Sequence, residues 1–429
     1  MSEIVLINVS GEDRPGITAA LTAILARYRV PILDIGQSTI HNALALGLLV
    51  ELPADSASCP VFRDLLFTAH GMGLDLRFTP IDPDAYEDWV AEQGQPRHIL
   101  TLLGREIDSE HIARVSAVVA EYGLNVDRIS RLTGRLSRRV PERHPLACVE
   151  LSVRGAVADL SELHAGLLAL GQTLDVDVAV QEDDIFRRNR RLVCFDMDST
   201  LIQTEVIDEL AAAAGVGPEV AAITEAAMRG ELDFKESFRR RIALLEGLDE
   251  SVLGEIAERL PITEGADRLI ASLKQLGYRI AILSGGFTYF AEHLKRRFGI
   301  DDVYANVLEF RDGKLTGTVS SEIIDGARKA ELLREIAERE GIRLEQVIAV
   351  GDGANDLPML AIAGLGIAFH AKPIVTRQAR HAIANVGLDG ILYLLGMRDR
   401  DLERLARGAV PQAGELQSSA PEFKQSITV

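Results

Sequence analysis

Two consecutive stretches near the N-terminus repeat the same order of hydrophobic patterns. Apolar residues at helical spacing, such as Ile17, Leu21 and Leu25 in the first stretch, predict amphipathic helices, and the apolar runs between them predict strands. Both stretches follow the order strand, helix, strand, strand, helix, strand, which predicts two ferredoxin-like β-α-β-β-α-β domains. The first has predicted strands at 3–9, 32–40, 43–52 and 74–81 and helices at 15–28 and 61–69; the second has predicted strands at 98–103, 125–132, 146–153 and 173–181 and helices around 112–122 and 160–170.

The hydrophobic pattern changes near residue 188. The short apolar runs RLVCFD, YRIAILS, QVIAV and LGIAF lack clean alternation, which predicts parallel strands buried on both faces, and helical patterns separate them. This order predicts an α/β domain with a doubly wound, Rossmann-like parallel sheet over residues 188–398. A helical stretch at about 204–262 follows the first of these strands, so we expect a helical cap there. Residues 82–96 are predicted to form a linker and residues 399–429 a poorly ordered tail.

Length and composition agree with several globular domains. The 429 residues are 47% hydrophobic and 26% charged, and domains of roughly 100 to 200 residues suggest two to four of them. The predicted ferredoxin-like domains cover residues 1–82 and 97–182. The three cysteines, Cys59, Cys148 and Cys194, have no spacing typical of zinc sites and are expected to be buried.

Charge and hydropathy exclude some partners. A net charge of -18 argues against nucleic acid as the main partner, because phosphate binding needs a basic face. The basic stretch 135–144 is expected to be a solvated hairpin loop. No apolar run approaches the roughly 18 residues of a membrane span, and the N-terminus lacks a basic segment, so we expect a cytoplasmic protein without a membrane partner.

Acidic motifs follow predicted strands at the edge where doubly wound sheets bind ligands. FDMDST follows the first strand, and GDGAND follows QVIAV. Asp196, Asp198 and Asp352 in these motifs supply hard oxygen ligands, which suit Mg²⁺ better than zinc. A cation would also relieve the repulsion between two acids that are only two residues apart.

Phosphate-binding groups are predicted at the same edge. Ser284 follows the strand YRIAIL and can donate a hydrogen bond to a phosphoryl oxygen, and the amides around Gly285 and Gly286 form a concave set of donors. Lys329 begins a predicted helix and adds a compact positive charge. We therefore predict a phosphate site beside the metal site.

These motifs resemble those of the haloacid dehalogenase-like phosphohydrolases, whose first motif DxDx(T/V) is matched by Asp196, Asp198 and Thr200. Within that superfamily, residues 188–396 resemble the phosphoserine phosphatases through the strings DMDSTLIQTEVIDELA, MRGELDFKESFRRRIALLEGL, SGGF and VGDGANDLPML. The resemblance implies Mg²⁺-dependent hydrolysis of O-phospho-L-serine to L-serine and phosphate, the final step of serine biosynthesis, through an aspartyl-phosphate intermediate.

The resemblance also implies a role for each motif residue. Asp196 would be the nucleophile, and Asp198 would protonate the leaving serine oxygen, then activate water. The main-chain carbonyl of Asp198 would bind the metal. The other implied roles are metal binding by Asp196 and Asp352, support of these ligands by Asp356, and phosphate binding by Ser284, Gly285, Gly286, Lys329 and Asn355.

Substrate choice is expected to come from the cap. By the same resemblance, Arg241 would grip the substrate carboxylate and Glu205 would take its ammonium. Met228 and Phe234 match apolar positions that exclude water when the cap closes.

The two ferredoxin-like repeats resemble ACT domains, small modules that often bind amino acids and pair side by side. In the first repeat, the loop SGEDRPGI (10–17) brings backbone amides to a helix N-terminus, which suits a carboxylate. The corresponding loop of the second repeat, GREIDSEH (104–111), has no Pro-Gly pair. We expect a homodimer with an amino-acid effector, serine, at the first repeat. A structural role in dimerisation alone is the alternative for both repeats.

Two other functions fit the same residues. One is a related enzyme, either a phosphotransferase that passes the phosphoryl group from phosphoserine to an alcohol or a phosphatase of another small phosphomonoester. The other is an amino-acid-sensing regulatory protein with a vestigial catalytic domain, which the complete set of motif residues argues against.

Overall fold

The computed structural model describes residues 3–52, 58–135, 146–320 and 322–408. Most of the predicted basic loop at 135–144 therefore lies outside the described residues. The chain divides into two compact units, Met1–Gln95 and Pro96–Val429. Within the described residues, no helix is long and apolar enough to cross a membrane.

The first unit contains a four-stranded antiparallel sheet in the order β2-β3-β1-β4. Its inner face carries Val5 and Ile7 of the central strand, which alternate with more exposed residues, and two helices cover that face. The predicted order of elements is confirmed, and a further helix lies in the predicted linker. The elements are β1 (Glu3–Glu12), α1 (Ile17–Arg27), β2 (Ile32–Ile40), β3 (Ala43–Leu52), α2 (Ser58–Gly71), β4 (Asp75–Ile81) and α3 (Pro83–Ala91).

The second unit begins with a second ferredoxin-like domain, whose sheet has the order β6-β7-β5-β8. Its two central strands are buried on both faces over nearly their whole length, unlike the alternating β1. Such burial requires a covering partner on the side away from the helices. The elements are β5 (Arg97–Gly104), α4 (Ser109–Glu121), β6 (Asn125–Arg131), β7 (Ala147–Arg154), α5 (Leu160–Leu174) and β8 (Asp177–Glu182).

The rest of the second unit is the predicted doubly wound domain, with a six-stranded parallel sheet in the order β11-β10-β9-β14-β15-β16. The cap is formed by the four helices α6 to α9. The elements are β9 (Leu192–Phe195), α6 (Val206–Ala214), α7 (Gly217–Met228), α8 (Phe234–Ala243), α9 (Ser251–Arg259), α10 (Ala266–Gln275), β10 (Arg279–Phe287), α11 (Thr288–Phe298), β11 (Asp302–Asn306), β12 (Leu308–Arg311), β13 (Lys314–Val319), α12 (Gly326–Arg339), β14 (Val347–Gly351), α13 (Leu357–Ile362), β15 (Leu365–Phe369), α14 (Pro373–Thr376), β16 (His381–Ile383), α15 (Gly390–Leu394) and α16 (Asp399–Ala406).

The doubly wound domain supplies the partner that the second ferredoxin-like sheet needs. Leu103 and Ala179 of that sheet belong to the same continuous hydrophobic core as Leu392 and Leu394 of α15. The carboxylate of Asp177 accepts hydrogen bonds from the N–H groups of residues 384 and 385, at 2.8 and 3.1 Å, just beyond β16. The second ferredoxin-like domain is therefore packed against the doubly wound domain.

A hairpin of β12 and β13 joins the cap to the sheet. The N–H of Gly247 donates to the carbonyl of Leu315 (2.8 Å), and the N–H of Leu315 donates to the carbonyl of Leu248 (2.9 Å). Gly317 in β13 has φ 73 and lies so close to α8 that a Cβ atom would come within 3.2 Å of the Ala243 backbone. The cap is thus held by the hairpin as well as by its two connections to the sheet.

The expectation of a poorly ordered tail is wrong for its first residues. Residues Asp399–Ala406 form α16, and Leu402 is buried against the core. Asp399 accepts hydrogen bonds from Tyr393, Arg268 and the N–H of Gly134, so the chain stays fixed here. Residues 409–429 lie outside the described part of the chain.

Candidate active site

The carboxyl ends of three neighbouring strands bring the predicted motifs together. β9 lies between β10 and β14, and its last residue, Phe195, is level with Ile282 and Val350. The loops that follow these strands therefore meet at one edge of the sheet, as parallel strands require. The N–H of Asp196 donates to the carbonyl of Val350 (2.8 Å), which fixes the start of the first loop.

Lys329 holds Asp196 from α12. The lysine side chain is fully buried, and its Nζ lies 2.8 Å from Asp196 Oδ1 and 2.6 Å from Asp356 Oδ1. Burial acts to lower the pKa of Lys329, but the two carboxylates outweigh it and raise the pKa. The N–H of Met197 also donates to Asp196 Oδ1 (2.8 Å), so both donors use one oxygen and Oδ2 accepts none from the described residues.

Asp198 lies two residues further on, in different surroundings. Its Oδ1 accepts a hydrogen bond from the N–H of Val206 (3.0 Å) at the start of the cap. Burial, together with the charges of Glu205 and Asp196, raises the pKa of Asp198 well above its usual value. Between the acid and the cap, Ser199 adopts φ 55, a left-handed conformation that is uncommon for a residue with a Cβ atom. The turn thereby holds a carboxyl group that favours its protonated form.

Asp196, Asp352 and Asp356 form a carboxylate cluster, in which one oxygen of each lies within 4.8 Å of the others. Burial, then the neighbouring carboxylates, raise the pKa of Asp352 to about 8. Burial and Asp196 raise the pKa of Asp356 to about 7, against the opposing effect of Lys329. One ammonium against three carboxylates leaves excess negative charge, so these residues fit a divalent cation with oxygen ligands.

The two acids of GDGAND differ in how they are held. Both oxygens of Asp356 have donors, Lys329 Nζ on Oδ1 and the N–H of Gly353 on Oδ2 (2.9 Å). Asp352 Oδ1 accepts a hydrogen bond of 3.3 Å from the hydroxyl of Thr200. Among the described residues, the carboxyl group of Asp352 is thus held by fewer hydrogen bonds than that of Asp356.

The SGGF loop approaches the acids closely. Ser284 is fully buried, and its Oγ accepts a hydrogen bond from the N–H of Gly286 (2.9 Å). A Cβ atom on Gly286 would lie 2.3 Å from Oδ2 of Asp198 and 2.8 Å from Cε of Met197, so any larger residue would force these side chains to move. Glycine at this position lets the backbone form one wall of the pocket.

Cap residues lie close to the SGGF loop and the acids. The ring of Phe234 lies against the SGGF loop, because a Cβ atom on Gly285 would be 3.2 Å from its Cζ. Arg241 on α8 is half-buried, and its Nε has no hydrogen-bond partner among the described residues. Burial lowers the pKa of Arg241, although the nearby acids Glu205 and Asp208 act to raise it. Burial also raises the pKa of Glu205, so two desolvated groups of opposite charge border the pocket.

Comparisons with known proteins agree with this geometry. A family model described as haloacid dehalogenase-like hydrolase matches residues 190–364, and ACT domain models match residues 3–79 and 96–181. A phosphoserine phosphatase from Streptomyces coelicolor is 43% identical over 399 residues, 93% of each chain. The chain belongs to the phosphoserine phosphatase family of haloacid dehalogenase-like hydrolases. It is therefore a phosphatase with two ACT domains, and these are the two ferredoxin-like repeats.

Other relatives in the family extend the same likeness. A phosphoserine phosphatase from Mycobacterium tuberculosis is 41% identical over 405 residues, covering 94% of this chain and 96% of its own. Among solved structures, a haloacid dehalogenase family hydrolase from Salmonella enterica serovar Typhi has a TM-score of 0.60 at 31% identity and covers 70% of this chain and 98% of its own. A probable phosphoserine phosphatase from Vibrio cholerae has a TM-score of 0.55 at 33% identity, over 73% of this chain and 89% of its own. The fold of the family is thus the fold described above.

Most of the predicted site residues lie close together, around one group of acids at the carboxyl edge of the parallel sheet. Asp198 is next to it, but its carboxylate lies outside the three-acid cluster, so metal binding by its main-chain carbonyl stays a prediction. Asn355 is half-buried beside Gly353. The side chain of Met228 lies outside the described part of the structure. The individual roles of all these residues remain predictions, taken up below.

Two contacts at the site were missed by the sequence analysis. Asn306, at the end of β11, donates hydrogen bonds to the carbonyls of Gly285 and Gly286. Lys235 of the cap forms an ion pair of 2.9 Å with Asp325, the residue that precedes α12. The rule that found the other motifs, polar residues at the carboxyl ends of parallel strands, applies to Asn306 as well. The strand DVYAN that carries Asn306 is, however, too short and polar to be predicted from its pattern.

Proposed function

We propose that this phosphatase hydrolyses O-phospho-L-serine to L-serine and phosphate, with Mg²⁺ and through an aspartyl-phosphate on Asp196, in the biosynthesis of serine. One observation carries the proposal. Asp196 is ion-paired to a buried lysine, and beside it burial raises the pKa of Asp198. The nearby Arg241 has an Nε without a hydrogen-bond partner in the described part of the chain. A carboxylate paired with a cation, next to a carboxyl group that favours its protonated form, is the arrangement that a nucleophile and a general acid need.

In the first step, Asp196 attacks the phosphorus atom. Lys329 and the N–H of Met197 both engage Oδ1, so we assign the attack to Oδ2. A bond forms between Oδ2 and phosphorus while the bond from phosphorus to the serine oxygen breaks. Protonated Asp198 gives its proton to that leaving oxygen, which departs as the hydroxyl of serine.

In the second step, Asp198 acts as a base. Now ionised, it takes a proton from a water molecule, whose oxygen attacks phosphorus and displaces Asp196. Inorganic phosphate leaves, and both carboxyl groups return to their starting states. In both steps the Ser284 hydroxyl would donate a hydrogen bond to a phosphoryl oxygen and Lys329 would offset negative charge there; the burial of both residues beside Asp196 supports these roles.

The acidic cluster supports a role for Mg²⁺. Asp196 and Asp352 would hold the ion with the main-chain carbonyl of Asp198, and Asp356 would keep the cluster in place. When bound, the ion neutralises negative charge on the carboxylates and on the phosphoryl group. Without a cation, a phosphate dianion would meet a pocket that already carries excess negative charge.

Substrate choice rests on the cap. Arg241 has a buried Nε without a hydrogen-bond partner among the described residues, and it is close enough to Glu205, Asp208 and Asp198 to interact with their charges. A guanidinium binds a carboxylate through two parallel hydrogen bonds. Glu205 is nearby and can bind an ammonium. A phosphomonoester that carries both groups on a short carbon chain, such as phosphoserine, satisfies both residues at once.

The proposal is tested by phosphate release from O-phospho-L-serine, phosphothreonine and small sugar phosphates. We expect phosphoserine to be preferred, activity to stop on chelation, and Mg²⁺ to restore it. Asp196→Asn should abolish turnover, whereas Asp312→Asn, in the exposed hairpin turn, should leave it intact. Full turnover by Asp196→Asn, or turnover while beryllofluoride fails to modify residue 196, would contradict the mechanism.

Hydrolysis and phosphoryl transfer are separated by a second measurement. Both reactions use the same nucleophile and acid, so the site geometry fits either. We expect free phosphate release to be unchanged when candidate acceptor alcohols are added. A fall in free phosphate with a matching gain of a phosphorylated alcohol would identify a phosphotransferase instead.

We further propose that serine is an effector at the first ACT domain and that this domain mediates a homodimer. Its loop ends at Gly16, whose φ of 95 turns the chain directly into the N-terminus of α1, where backbone N–H groups are free to bind a carboxylate. Millimolar serine should inhibit the full chain and give a titration heat, and a chain lacking residues 1–95 should lose that inhibition. Equal inhibition of both chains would assign the effect to the active site. A monomer in sedimentation at micromolar concentration would exclude the dimer.

A further inference from the structure

The SGGF loop leaves the regular pairing of β10 with β11. Leu283 pairs with Tyr304 and Phe287 pairs with Asn306, so three residues of β10 stand opposite one residue of β11. Such a bulge takes the intervening peptide groups out of the hydrogen-bond ladder. Buried carbonyl groups released in this way need other partners.

Asn306 provides those partners. It is fully buried, and its Nδ2 donates to the carbonyl of Gly285 at 2.8 Å and to that of Gly286 at 3.3 Å. The backbone of Asn306 is itself held, because the hydroxyl of Thr288 donates to its carbonyl at 3.2 Å. One side-chain amide thus fixes both peptide groups at the centre of the loop.

Fixing these carbonyls also fixes the donors on the other side of the same peptides. In a trans peptide the carbonyl and the following N–H point in opposite directions, so anchoring the carbonyl of Gly285 directs the N–H of Gly286. That N–H donates to Ser284 Oγ at 2.9 Å. Because Oγ accepts here, the hydroxyl hydrogen of Ser284 is left for another acceptor, such as a phosphoryl oxygen.

The acceptor end of the Asn306 amide reaches a second phosphate-binding segment. Its Oδ1 accepts a hydrogen bond from the N–H of Ile324 at 3.0 Å. The next residue, Asp325, caps α12 by accepting from the N–H of residue 328 at 2.9 Å, and Lys329 lies in the first turn of that helix. Asn306 therefore ties together the segments that carry Ser284 and Lys329.

We propose that Asn306 is a positioning residue for phosphoryl transfer, which acts by orienting the Ser284 hydroxyl. The inference rests on the proposed phosphatase chemistry at Asp196. A correctly aimed donor matters most when negative charge moves onto the phosphoryl oxygens, so its loss lowers kcat more than it changes KM.

The first test is Asn306→Asp, which removes the donor amide while keeping an oxygen for the N–H of Ile324. We expect kcat to fall by about 10- to 100-fold, with KM changed by less than about threefold. Gln346→Glu is the matched control. Gln346 is also a buried amide between two backbone groups, the carbonyl of Asn189 (2.9 Å) and the N–H of Arg343 (3.4 Å), but it lies at the amino end of β14, away from the site. Its kcat should stay within about twofold of the wild type.

Thermal denaturation is measured for both variants, because replacing a buried amide by a carboxylate also affects stability. Should Asn306→Asp fail to fold, Asn306→Ala takes its place. Similar losses of stability in the two positions with a fall in kcat at position 306 alone support the inference. A fall in kcat that simply follows stability in both variants overturns it.

A double-mutant cycle with Ser284→Ala tests the route of the effect. If Asn306 acts through Ser284, Asn306→Asp should cost less than about threefold in kcat when Ser284→Ala is already present. An undiminished loss in that background would overturn the inference. Repeating the cycle with p-nitrophenyl phosphate separates this outcome from failure of the proposed substrate, because the phosphoryl contacts are the same for both esters.

Discussion

Asp196 and Asp198 lie two residues apart, yet the structure gives them different partners. Lys329 contacts Asp196 at 2.8 Å, whereas Asp198 receives a backbone N–H and faces the acids Glu205 and Asp196. The lysine gives the first acid a positively charged partner, whereas burial near like charges raises the pKa of the second and favours its protonated form. Two acids that are only two residues apart in the sequence therefore have different electrostatic surroundings, as the proposed division of roles requires.

A prediction at the same scale concerns Arg241. Arg241→Ala should lower kcat/KM for phosphoserine by about 10- to 100-fold, because it removes a charge-assisted pair of hydrogen bonds to the substrate carboxylate. Phosphoethanolamine lacks that carboxylate, so its kcat/KM should change little. Steady-state kinetics with the two substrates measure the difference.

The neighbouring Arg240 provides the control for this prediction. It is exposed, and its Nε donates to Glu236 one turn earlier on the cap surface (2.7 Å). Arg240→Ala should therefore leave both substrates unaffected. Equal losses for phosphoserine and phosphoethanolamine in Arg241→Ala would mean that this arginine holds the cap rather than the substrate.

At the scale of elements, aromatic rings connect the cap to the sheet. The ring centroid of Phe238 lies 6.2 Å from that of Phe234 and 6.0 Å from that of Phe287. Phe238 is buried, so Phe238→Ala should lower the unfolding free energy by about 3 to 5 kcal/mol. Phe234 is only half-buried, and its replacement by alanine should lower stability less. Urea denaturation of both variants compares these two losses of unfolding free energy.

Although Phe234 contributes less to stability than Phe238, its replacement is expected to have the larger effect on activity. Because Phe234 lies against the SGGF loop, Phe234→Ala admits water beside the phosphoryl group and should lower kcat/KM at temperatures where the protein is fully folded. If Phe234→Ala kept full activity, closure of the cap over this loop would not depend on that ring.

The elements also mark where sequence reasoning succeeded and where it did not. Strands with four or more consecutive apolar residues, such as QVIAV, were predicted, and so were the motifs at their ends. β11, β16 and the β12–β13 hairpin were missed because they are three to six residues long and mix polar with apolar positions. Asn306 was missed with its strand. The apolar runs of β5 and β7 predicted strands, but a run alone does not identify the surface that covers it.

At the scale of the molecule, the second ACT domain is part of the catalytic unit. Removal of residues 1–95 should leave phosphatase activity and stability nearly unchanged, because that unit has its own core. Removal of residues 1–187 should cause aggregation or a clear fall in Tm, because it exposes Leu392 and Leu394 of α15. Light scattering and thermal denaturation measure both results. A soluble 188–429 chain with the same Tm as 96–429 would contradict this interpretation.

Acid should weaken the same interface. His381 of β16 is buried, and its ring centroid lies 5.7 Å from that of His164 of α5. Burial, and then the charges of His164, Arg190 and Arg380, lower the pKa of His381 to about 3. Between pH 6.5 and 3 the unfolded chain therefore binds a proton that the folded chain does not. Stability falls as the pH drops through this window, by about 2 kcal/mol at pH 5 from this one group.

Replacement of His381 tests the acid effect. In His381→Leu, the unfolding free energy measured by urea denaturation should depend less on pH between 6.5 and 5 than it does in the wild type. An unchanged slope would assign the acid sensitivity to other groups.

The shared core also sets an order for synthesis. The second ACT domain is complete at Glu182, but α15, which covers its outer sheet face, begins only at Gly390. At roughly 5 to 20 residues per second, a ribosome needs about 10 to 40 seconds to add the residues between them. During that interval the apolar outer face of the second ACT sheet remains exposed on the nascent chain, so we expect chaperones to bind it. The first ACT domain, whose strands end at Ile81, needs no later segment and should fold as soon as it is synthesised.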